Sequence, residues 1–186
     1  FYTRVEEGGD GPFLWHKADR AWVSQSWREV GNQVAALAHN LRALGLVDGD
    51  RVVLVSENRP EWLIADHAIM AAGCVTVPTY TTNTERDHQH ILDNSGARAV
   101  IVSTAKLART VMPAALRAHV EFIIVMEPMR TAQQGDVRVL DWAEQVKDGA
   151  AHVPAVLDRA ARMQRSDLAC LIYTSGTGGA PRGVQQ

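Results

Sequence analysis

The stretch at residues 174–183 combines the residue types that bind phosphate groups. It holds four glycines, three hydroxyl side chains and one arginine, directly after the apolar run at residues 168–173. Glycines let backbone N–H groups turn toward an anion and approach it closely. Hydroxyl groups add donors, and the guanidinium of Arg182 is a permanent, fork-shaped cation that matches phosphate oxygens. This composition predicts a loop that grips a polyphosphate, although composition alone also fits a flexible linker.

Three other glycine-rich motifs are excluded by their spacing. The Walker A motif needs Gly-Lys followed by Ser or Thr, whereas residues 182–184 read Arg-Gly-Val. The dinucleotide-binding fingerprint needs a third glycine where Pro181 stands, and a helix cannot run smoothly through that proline. A nucleophile elbow needs glycines two residues either side of Ser175, where Tyr173 and Thr177 stand.

The elements that must position this loop alternate between strands and helices. Continuous apolar runs typical of buried strands occur at residues 51–56, 74–77, 99–103, 122–126 and 168–173. Helical patterns occur at residues 26–44, 60–72, 84–95, 106–118 and 140–147, after a hairpin at residues 13–25. This alternation predicts an α/β domain with a mostly parallel sheet and helices on both faces. Ligands of such sheets bind beyond the carboxyl ends of the strands, where the glycine-rich stretch begins.

Residues 173–184, YTSGTGGAPRGV, closely resemble the phosphate-binding signature of the adenylate-forming (AMP-binding) superfamily. That superfamily includes acyl-CoA synthetases, the adenylation domains of peptide synthetases and luciferases. Its pattern reads Tyr-Thr-Ser-Gly-Thr-Thr-Gly-x-Pro-Lys-Gly-Val, and nine of the eleven specified positions match. Gly178 replaces a threonine, which removes one hydroxyl, and Arg182 replaces the lysine, which keeps the charge but changes its geometry.

The resemblance extends through the region before the loop. Residues 45–52 read Gly-x-x-x-Gly-Asp-Arg-Val and residues 73–78 read Gly-x-Val-x-Val-Pro, in the order in which these features recur in the superfamily. The segments ENRPEW at residues 57–62 and PTY at residues 78–80 look most like the long-chain fatty acyl-CoA synthetases. The chain thus resembles the N-terminal part of a fatty-acid–CoA ligase.

The resemblance implies an enzyme that runs two half-reactions. A carboxylate attacks the α-phosphate of Mg-ATP to give an acyl-adenylate and pyrophosphate, and the thiol of coenzyme A then displaces AMP. The implied partners are ATP, Mg²⁺, coenzyme A and a fatty acid or other carboxylic acid. The residues expected to contact the phosphates are Thr174, Ser175, Gly176, Thr177, Gly178, Gly179 and Arg182. Thr174 is also a candidate magnesium ligand, but a lone hydroxyl is weak and needs an acid from elsewhere.

By the same resemblance, residues 1–186 correspond to the N-terminal portion of the large adenylation domain, ending in the phosphate-binding loop at residues 173–184. The rest of that domain and the small C-terminal domain are expected beyond residue 186. No catalytic residue is therefore expected within the chain, and the chain alone is expected to be inactive.

Two alternatives stay open at this point. One is an adenylation domain that loads an amino or aryl acid onto a carrier protein, because the pocket that selects the acid lies beyond residue 186. The other is a non-catalytic nucleotide-binding module, which the departures at Gly178 and Arg182 favour.

Composition excludes several further classes. The net charge is −2 and no run of five like charges occurs, so a basic surface for nucleic acid is not expected. The longest nearly apolar run, at residues 68–78, is well short of the roughly 20 residues that span a membrane, and peripheral membrane association remains compatible. Cys74 and Cys170 lie in apolar surroundings typical of reduced thiols, so a cytoplasmic location is expected.

Two groups outside the loop could also do chemistry. His88 and His90 invite a metal site, but a spacing of two points their side chains about 200° apart on a helix, so a solvated helix face is predicted. Residues 57–59 follow the carboxyl end of a predicted strand. They could approach a ligand there, or they could cap the helix that begins at Pro60.

Overall fold

A computed structural model describes residues 1–129, 135–174 and 181–186. The strands are β1 (Pro12–Ala18), β2 (Ala21–Ser26), β3 (Arg51–Val55), β4 (Val75–Thr79), β5 (Ala99–Val102), β6 (Phe122–Val125), β7 (Arg138–Asp141), β8 (Leu171–Thr174) and β9 (Arg182–Gln185). The helices are α1 (Tyr2–Gly8), α2 (Trp27–Ala43), α3 (Pro60–Ala71), α4 (Glu85–Ser95), α5 (Ala105–Arg117), α6 (Trp142–Gln145) and α7 (Val153–Ala160), with a 3₁₀ helix at Gly149–His152.

The predicted parallel sheet is confirmed. Five parallel strands are ordered β4-β3-β5-β6-β7, so the chain moves to one side after β3 and to the other after β4. Val53 of β3 lies opposite Val77 of β4 and Val100 of β5. Both faces of β3 are buried, which explains why its sequence is continuously apolar rather than alternating.

Helices cover both faces of this sheet, as predicted. Val52 and Leu54 face a core that α2 and α3 complete, whereas Val53 and Val55 face a second core completed by α4 and α5. Alternate residues of a strand point to opposite faces, so one short run of β-branched residues supplies both cores.

The predicted helix starts are confirmed by their caps. Ser26 accepts a hydrogen bond from the Glu29 N–H, and Glu29 accepts one in return from the Ser26 N–H. Thr84 and Asp87 form the same reciprocal box at the start of α4. Pro60 occupies the first turn of α3, where its missing N–H leaves no bond unmade.

The helix predicted at residues 140–147 is wrong in part. Residues Arg138–Asp141 form the edge strand β7, and only one helical turn, Trp142–Gln145, follows. The carboxylate of Asp141 accepts from the N–H groups of Ala143 and Glu144, so it ends the strand and caps the turn. Exposed edge strands carry a weaker apolar pattern than central ones, which explains the misassignment.

The strand predicted at residues 168–173 is shorter and less buried than expected. It begins at Leu171 and pairs antiparallel with β9, an exposed strand that sequence reasoning missed. Just before β8, Cys170 bridges Thr76 of β4 in the parallel sense, and the Thr76 N–H donates to the Ala169 carbonyl at 3.1 Å. The β8–β9 hairpin therefore lies beside the edge strand of the main sheet.

Two further expectations can be compared with the described residues. Cys74 and Cys170 are both free thiols, and burial raises the pKa of Cys74 to about 11. Within the described ranges, every helix is too short or too polar to cross a bilayer.

The solvated face predicted for His88 is wrong. Its side chain is only 1% exposed, and neither ring nitrogen has a hydrogen-bond partner among the described residues. His88 shares the helix face of Ile91, Leu92 and Ser95, which lies against the second core. Burial disfavours the charged ring and lowers the pKa of His88 below its ordinary value of 6.5.

Stability is therefore expected to fall on acidification through the titration of His88. Below about pH 6.5, His88 is protonated in the unfolded chain but remains neutral in the folded chain. The free energy of unfolding therefore falls as the pH drops toward the lower pKa of the folded state. A His88→Leu variant should lose less stability than wild type between pH 7 and pH 5, measured by urea unfolding of the full-length protein. Gln89→Leu, on the same helix but without an ionisable side chain, serves as the control and should keep the wild-type slope. Equal slopes for wild type and His88→Leu would contradict this assignment.

Candidate functional site

Two of the predicted phosphate-binding residues face each other across the β8–β9 hairpin. Thr174, the last residue of β8, pairs directly with Arg182, the first residue of β9. Directly opposed residues of an antiparallel pair project their side chains to the same face, with Cβ atoms about 4.5–5.5 Å apart. Both side chains are exposed. The hairpin thus presents a hydroxyl and a guanidinium together, at the two points where the chain enters and leaves the predicted loop.

The remaining five predicted contacts lie outside the described residues. These are Ser175, Gly176, Thr177, Gly178 and Gly179. Their assignment to phosphate therefore stays a prediction from the signature.

The opposite face of the hairpin packs into the protein. Tyr173 points away from Thr174, is buried, and donates its phenol hydrogen to Oδ1 of Asn94 at 2.7 Å. Burial raises the pKa of Tyr173, which keeps the phenol neutral and able to donate. Gly183 lies opposite, and a Cβ atom at that position would come within 3.2 Å of the Tyr173 ring. A side chain that replaced Gly183 would therefore press on the Tyr173 ring.

A second contact ties α4 to Pro181, the residue just before β9. Nε2 of His90 lies 2.8 Å from the backbone carbonyl oxygen of Pro181. A carbonyl can only accept, so Nε2 carries the hydrogen in this contact. The His90 ring also stands edge-on to the ring of Tyr173, with 6.3 Å between centroids. Sequence reasoning missed both His90 and Asn94, because their partners lie about 80 to 90 residues later in the chain.

The hairpin reaches the edge of the sheet at which a ligand is expected. Since Cys170 and Thr76 bridge in the parallel sense, β8 ends at the same side as β3, β4 and β5. This arrangement places Thr174 and Arg182 at the carboxyl edge, as the rule for open α/β sheets predicts.

Residues 57–59 lie at the same edge, but the capping interpretation is wrong. Arg59 precedes α3, and no side chain caps that helix. The guanidinium of Arg59 instead forms a two-pronged pair with the Glu61 carboxylate, at 2.8 and 3.1 Å. Glu57 accepts a 2.5 Å hydrogen bond from the Ser103 hydroxyl, which holds the pKa of Glu57 below its ordinary value despite some burial. These charged groups stabilise the loops after β3 and β5.

A large cavity lies elsewhere, at the amino edge of the sheet. Its volume is about 950 Å³, and α2, α7 and the end of α3 surround it. Asp48 in its wall accepts from both Arg42 and Arg159, at 2.8 and 2.7 Å. The internal pairing of its charges and its position opposite the carboxyl edge separate this cavity from the predicted phosphate site.

The magnesium prediction rests on Thr174 alone. In the parts of the chain that the structure describes, no three His, Cys, Asp or Glu side chains converge to hold a metal ion. Magnesium prefers octahedral oxygen ligands that include carboxylates, and a single neutral hydroxyl falls short of that set. The described residues therefore do not form a magnesium site by themselves.

Comparison with known proteins gives one family and consistent relatives. The sequence profile of the family described as "AMP-binding enzyme" matches residues 1–186. A long-chain-fatty-acid–CoA ligase of Mycobacterium tuberculosis is 39% identical over 168 residues, which are 90% of this chain and 27% of that protein. A human mitochondrial acyl-coenzyme A synthetase is 29% identical over an alignment of 190 positions, which covers 99% of this chain and 31% of that protein.

Solved structures show the same fold. An acetoacetyl-CoA synthetase from Streptomyces lividans superposes with a TM-score of 0.77 at 23% identity, covering 98% of this chain and 29% of that one. A benzoate CoA ligase from Burkholderia xenovorans superposes with a TM-score of 0.69 at 26% identity, covering 87% of this chain and 29% of that one. The chain thus spans between a quarter and a third of the length of these four proteins.

Proposed function

Because the chain belongs to the AMP-binding enzyme family, we propose that the protein carrying it is an ATP-dependent acid–CoA ligase acting on long-chain fatty acids. The observation that carries this proposal is the paired placement of Thr174 and Arg182 at the carboxyl edge of the sheet, on either side of a glycine-rich stretch. The 39% identical relative, itself named a long-chain-fatty-acid–CoA ligase, supports the choice of acid.

The proposed reaction transfers the acyl group in two steps. A carboxylate oxygen of the acid attacks the α-phosphorus of ATP, and the bond to the bridging oxygen of the β-phosphate breaks, so that pyrophosphate leaves with that electron pair. The sulfur of coenzyme A then attacks the acyl carbon, and AMP leaves as the thioester forms. Magnesium would neutralise phosphate charge in the first step, with its principal ligands supplied from outside residues 1–186.

The contribution of this chain is to hold the departing pyrophosphate. Arg182 supplies a fixed positive charge, and its guanidinium can bind two phosphate oxygens at once. Thr174 supplies a hydroxyl donor from the opposed strand. Positioned donors that meet charge as it develops lower the barrier more than the same groups in water, because they need no reorganisation during the reaction.

We further propose that residues 1–186 are the N-terminal portion of the adenylation domain. The chain covers 27% of the fatty-acid ligase it matches, which leaves the remaining catalytic groups and the acid pocket to other parts of the full-length protein. We assign no catalytic residue within the chain and expect no turnover from it alone. The free thiols of Cys74 and Cys170 support a reducing, cytoplasmic compartment.

The test is carboxylate-dependent exchange of labelled pyrophosphate into ATP, catalysed by the full-length protein. We expect exchange with acids of about twelve carbons or more, formation of the corresponding CoA thioester, and little exchange with acetate. Exchange confined to benzoate or an amino acid would overturn the long-chain assignment in favour of an aryl- or amino-acid-activating enzyme. ATP binding without exchange for any acid would favour a non-catalytic nucleotide-binding module.

A further inference from the structure

We propose that His90 and Asn94 of α4 are positioning residues for Thr174 and Arg182, the two described residues of the predicted phosphate site. They contact the residues on the two sides of the loop: His90 binds the carbonyl of Pro181, and Asn94 binds the hydroxyl of Tyr173. Neither side chain forms a hydrogen bond with Thr174 or Arg182, the two described residues of the predicted phosphate site. This inference rests on the proposed function, because it assigns a role in holding ATP.

The two contacts come from one face of one rigid helix. His90 and Asn94 are four residues apart, so their side chains lie one above the other on the surface of α4. The start of α4 is fixed by the capping box of Thr84 and Asp87, and its end by Gly96 in the left-handed conformation. The buried residues Ile91 and Leu92 anchor the helix on the second core. Because α4 is held in this way, the positions of His90 and Asn94 are fixed relative to the main sheet.

The hairpin is attached to the rest of the domain on two sides, by β4 and by α4. Its backbone ladder sets the separation of Thr174 and Arg182, but a ladder alone does not fix the angle of the hairpin to the main sheet. One parallel bridge at Cys170 joins the segment before β8 to β4, and β9 is exposed along its length. The contacts with α4 restrain both strands at the end where the loop emerges. Together with the bridge to β4, they therefore help to set the direction in which Thr174 and Arg182 point.

Alternate residues of β8 and β9 point to the two opposite faces of the hairpin. Tyr173 and Gly183 face α4, whereas Thr174 and Arg182 face the other side of the same two-stranded ribbon. A tilt of the ribbon caused by losing the α4 contacts would move both exposed side chains together. Displacements of about 1 Å at reacting groups can cost as much as 100-fold in rate, so small tilts have measurable consequences.

The test uses His90→Leu, Asn94→Leu and their conservative counterparts in the full-length protein. Glutamine at position 90 can place an amide donor near the position of Nε2, and aspartate at position 94 keeps an acceptor oxygen for Tyr173. We expect each leucine variant to raise the KM for ATP about 5- to 10-fold in pyrophosphate exchange while leaving the KM for the acid unchanged. The glutamine and aspartate variants should return to within about 2- to 3-fold of wild type.

A purely structural role predicts a different result. Partial unfolding would lower the active fraction, which reduces kcat and leaves both KM values as they were. Gln89→Leu is the matched control, because Gln89 lies on the same helix and bonds to Asp93 and Arg117 rather than to the hairpin. Its KM for ATP should stay at the wild-type value.

Direct binding of a non-hydrolysable ATP analogue, measured by calorimetry, separates this inference from the proposed function. Weaker binding by His90→Leu in a protein without exchange would support the positioning role and overturn the ligase assignment. Wild-type values of KM and analogue affinity in both leucine variants would overturn the positioning role while leaving the ligase assignment intact. A wild-type protein that does not bind the analogue would overturn both.

Discussion

Replacing Arg182 by leucine is expected to lower kcat/KM for ATP in pyrophosphate exchange about 100-fold. The reason is that the proposed site loses the positive charge that would bind the departing pyrophosphate. The side chain is exposed at the carboxyl edge and lies opposite Thr174, so its removal leaves no cavity in either core. Fold stability should therefore change by less than about 0.5 kcal/mol. The measurement is exchange at varied ATP concentration, together with urea unfolding of the same preparations.

An Arg182→Lys variant tests what the departure from the superfamily pattern means. Lysine keeps the charge and provides the residue of the family signature, but it lacks the two-pronged geometry of the guanidinium. We expect it to retain within about 10-fold of wild-type activity. Arg4→Leu serves as the charge control, since Arg4 forms an exposed pair with Glu7. Equal activity for Arg182→Leu and Arg4→Leu would remove Arg182 from the phosphate site.

Replacing Gly149 by alanine is expected to destabilise the domain by about 3 kcal/mol. Gly149 is buried at the start of the 3₁₀ helix, and a Cβ atom there would overlap the backbone carbonyl of Asn32 in α2. The φ angle of Gly149 is not in the left-handed region, so the cost is one of space rather than of backbone conformation. Helix α2 spans the first core and cannot retreat without disturbing its contacts with α3.

This prediction is checked by urea unfolding of the full-length protein, in which the transition of the N-terminal region should shift to lower urea. The matched control is Ala150→Ser, which adds one atom at the exposed neighbouring position and should change stability by less than about 0.5 kcal/mol. A Gly149→Ala protein as stable as wild type would show that α2 and the 3₁₀ helix are not in close contact.

The elements with strong local signals were predictable. The start of α2 needs only Ser26 and Glu29, three residues apart, and the start of α4 needs only Thr84 and Asp87. The buried strands can be recognised by continuous apolar runs such as Arg51–Val55, because both of their faces lie against helices. These signals operate within a few residues of backbone, so they can be recognised before any tertiary contact is known.

The elements without such signals were missed. Strand β9, with the sequence RGVQ, is fully exposed and has no apolar pattern, so only its pairing with β8 makes it a strand. Strand β7 lies at the edge of the sheet and is half-exposed. Propensity is a weak guide where pairing with a distant segment decides the conformation.

The two histidines of α4 show which features of a helix can be predicted from residue spacing and which cannot. The different orientations of His88 and His90 follow from their spacing, as predicted. Their surroundings were not predicted, because His88 lies against the sheet and His90 meets a hairpin that arrives about 90 residues later. A helix pattern indicates which residues share a face, but not which segment of the chain will cover that face.

The amino-acid sequence by itself determined the α/β alternation, the resemblance of residues 173–184 to a phosphate-binding signature and the family, since each depends on residue types at short, fixed spacing. Only the tertiary structure decided that Thr174 and Arg182 share one face of a hairpin and that α4 holds its other face. The physical reason is that long-range contacts follow from the burial of whole faces, to which residues distant in the chain contribute jointly.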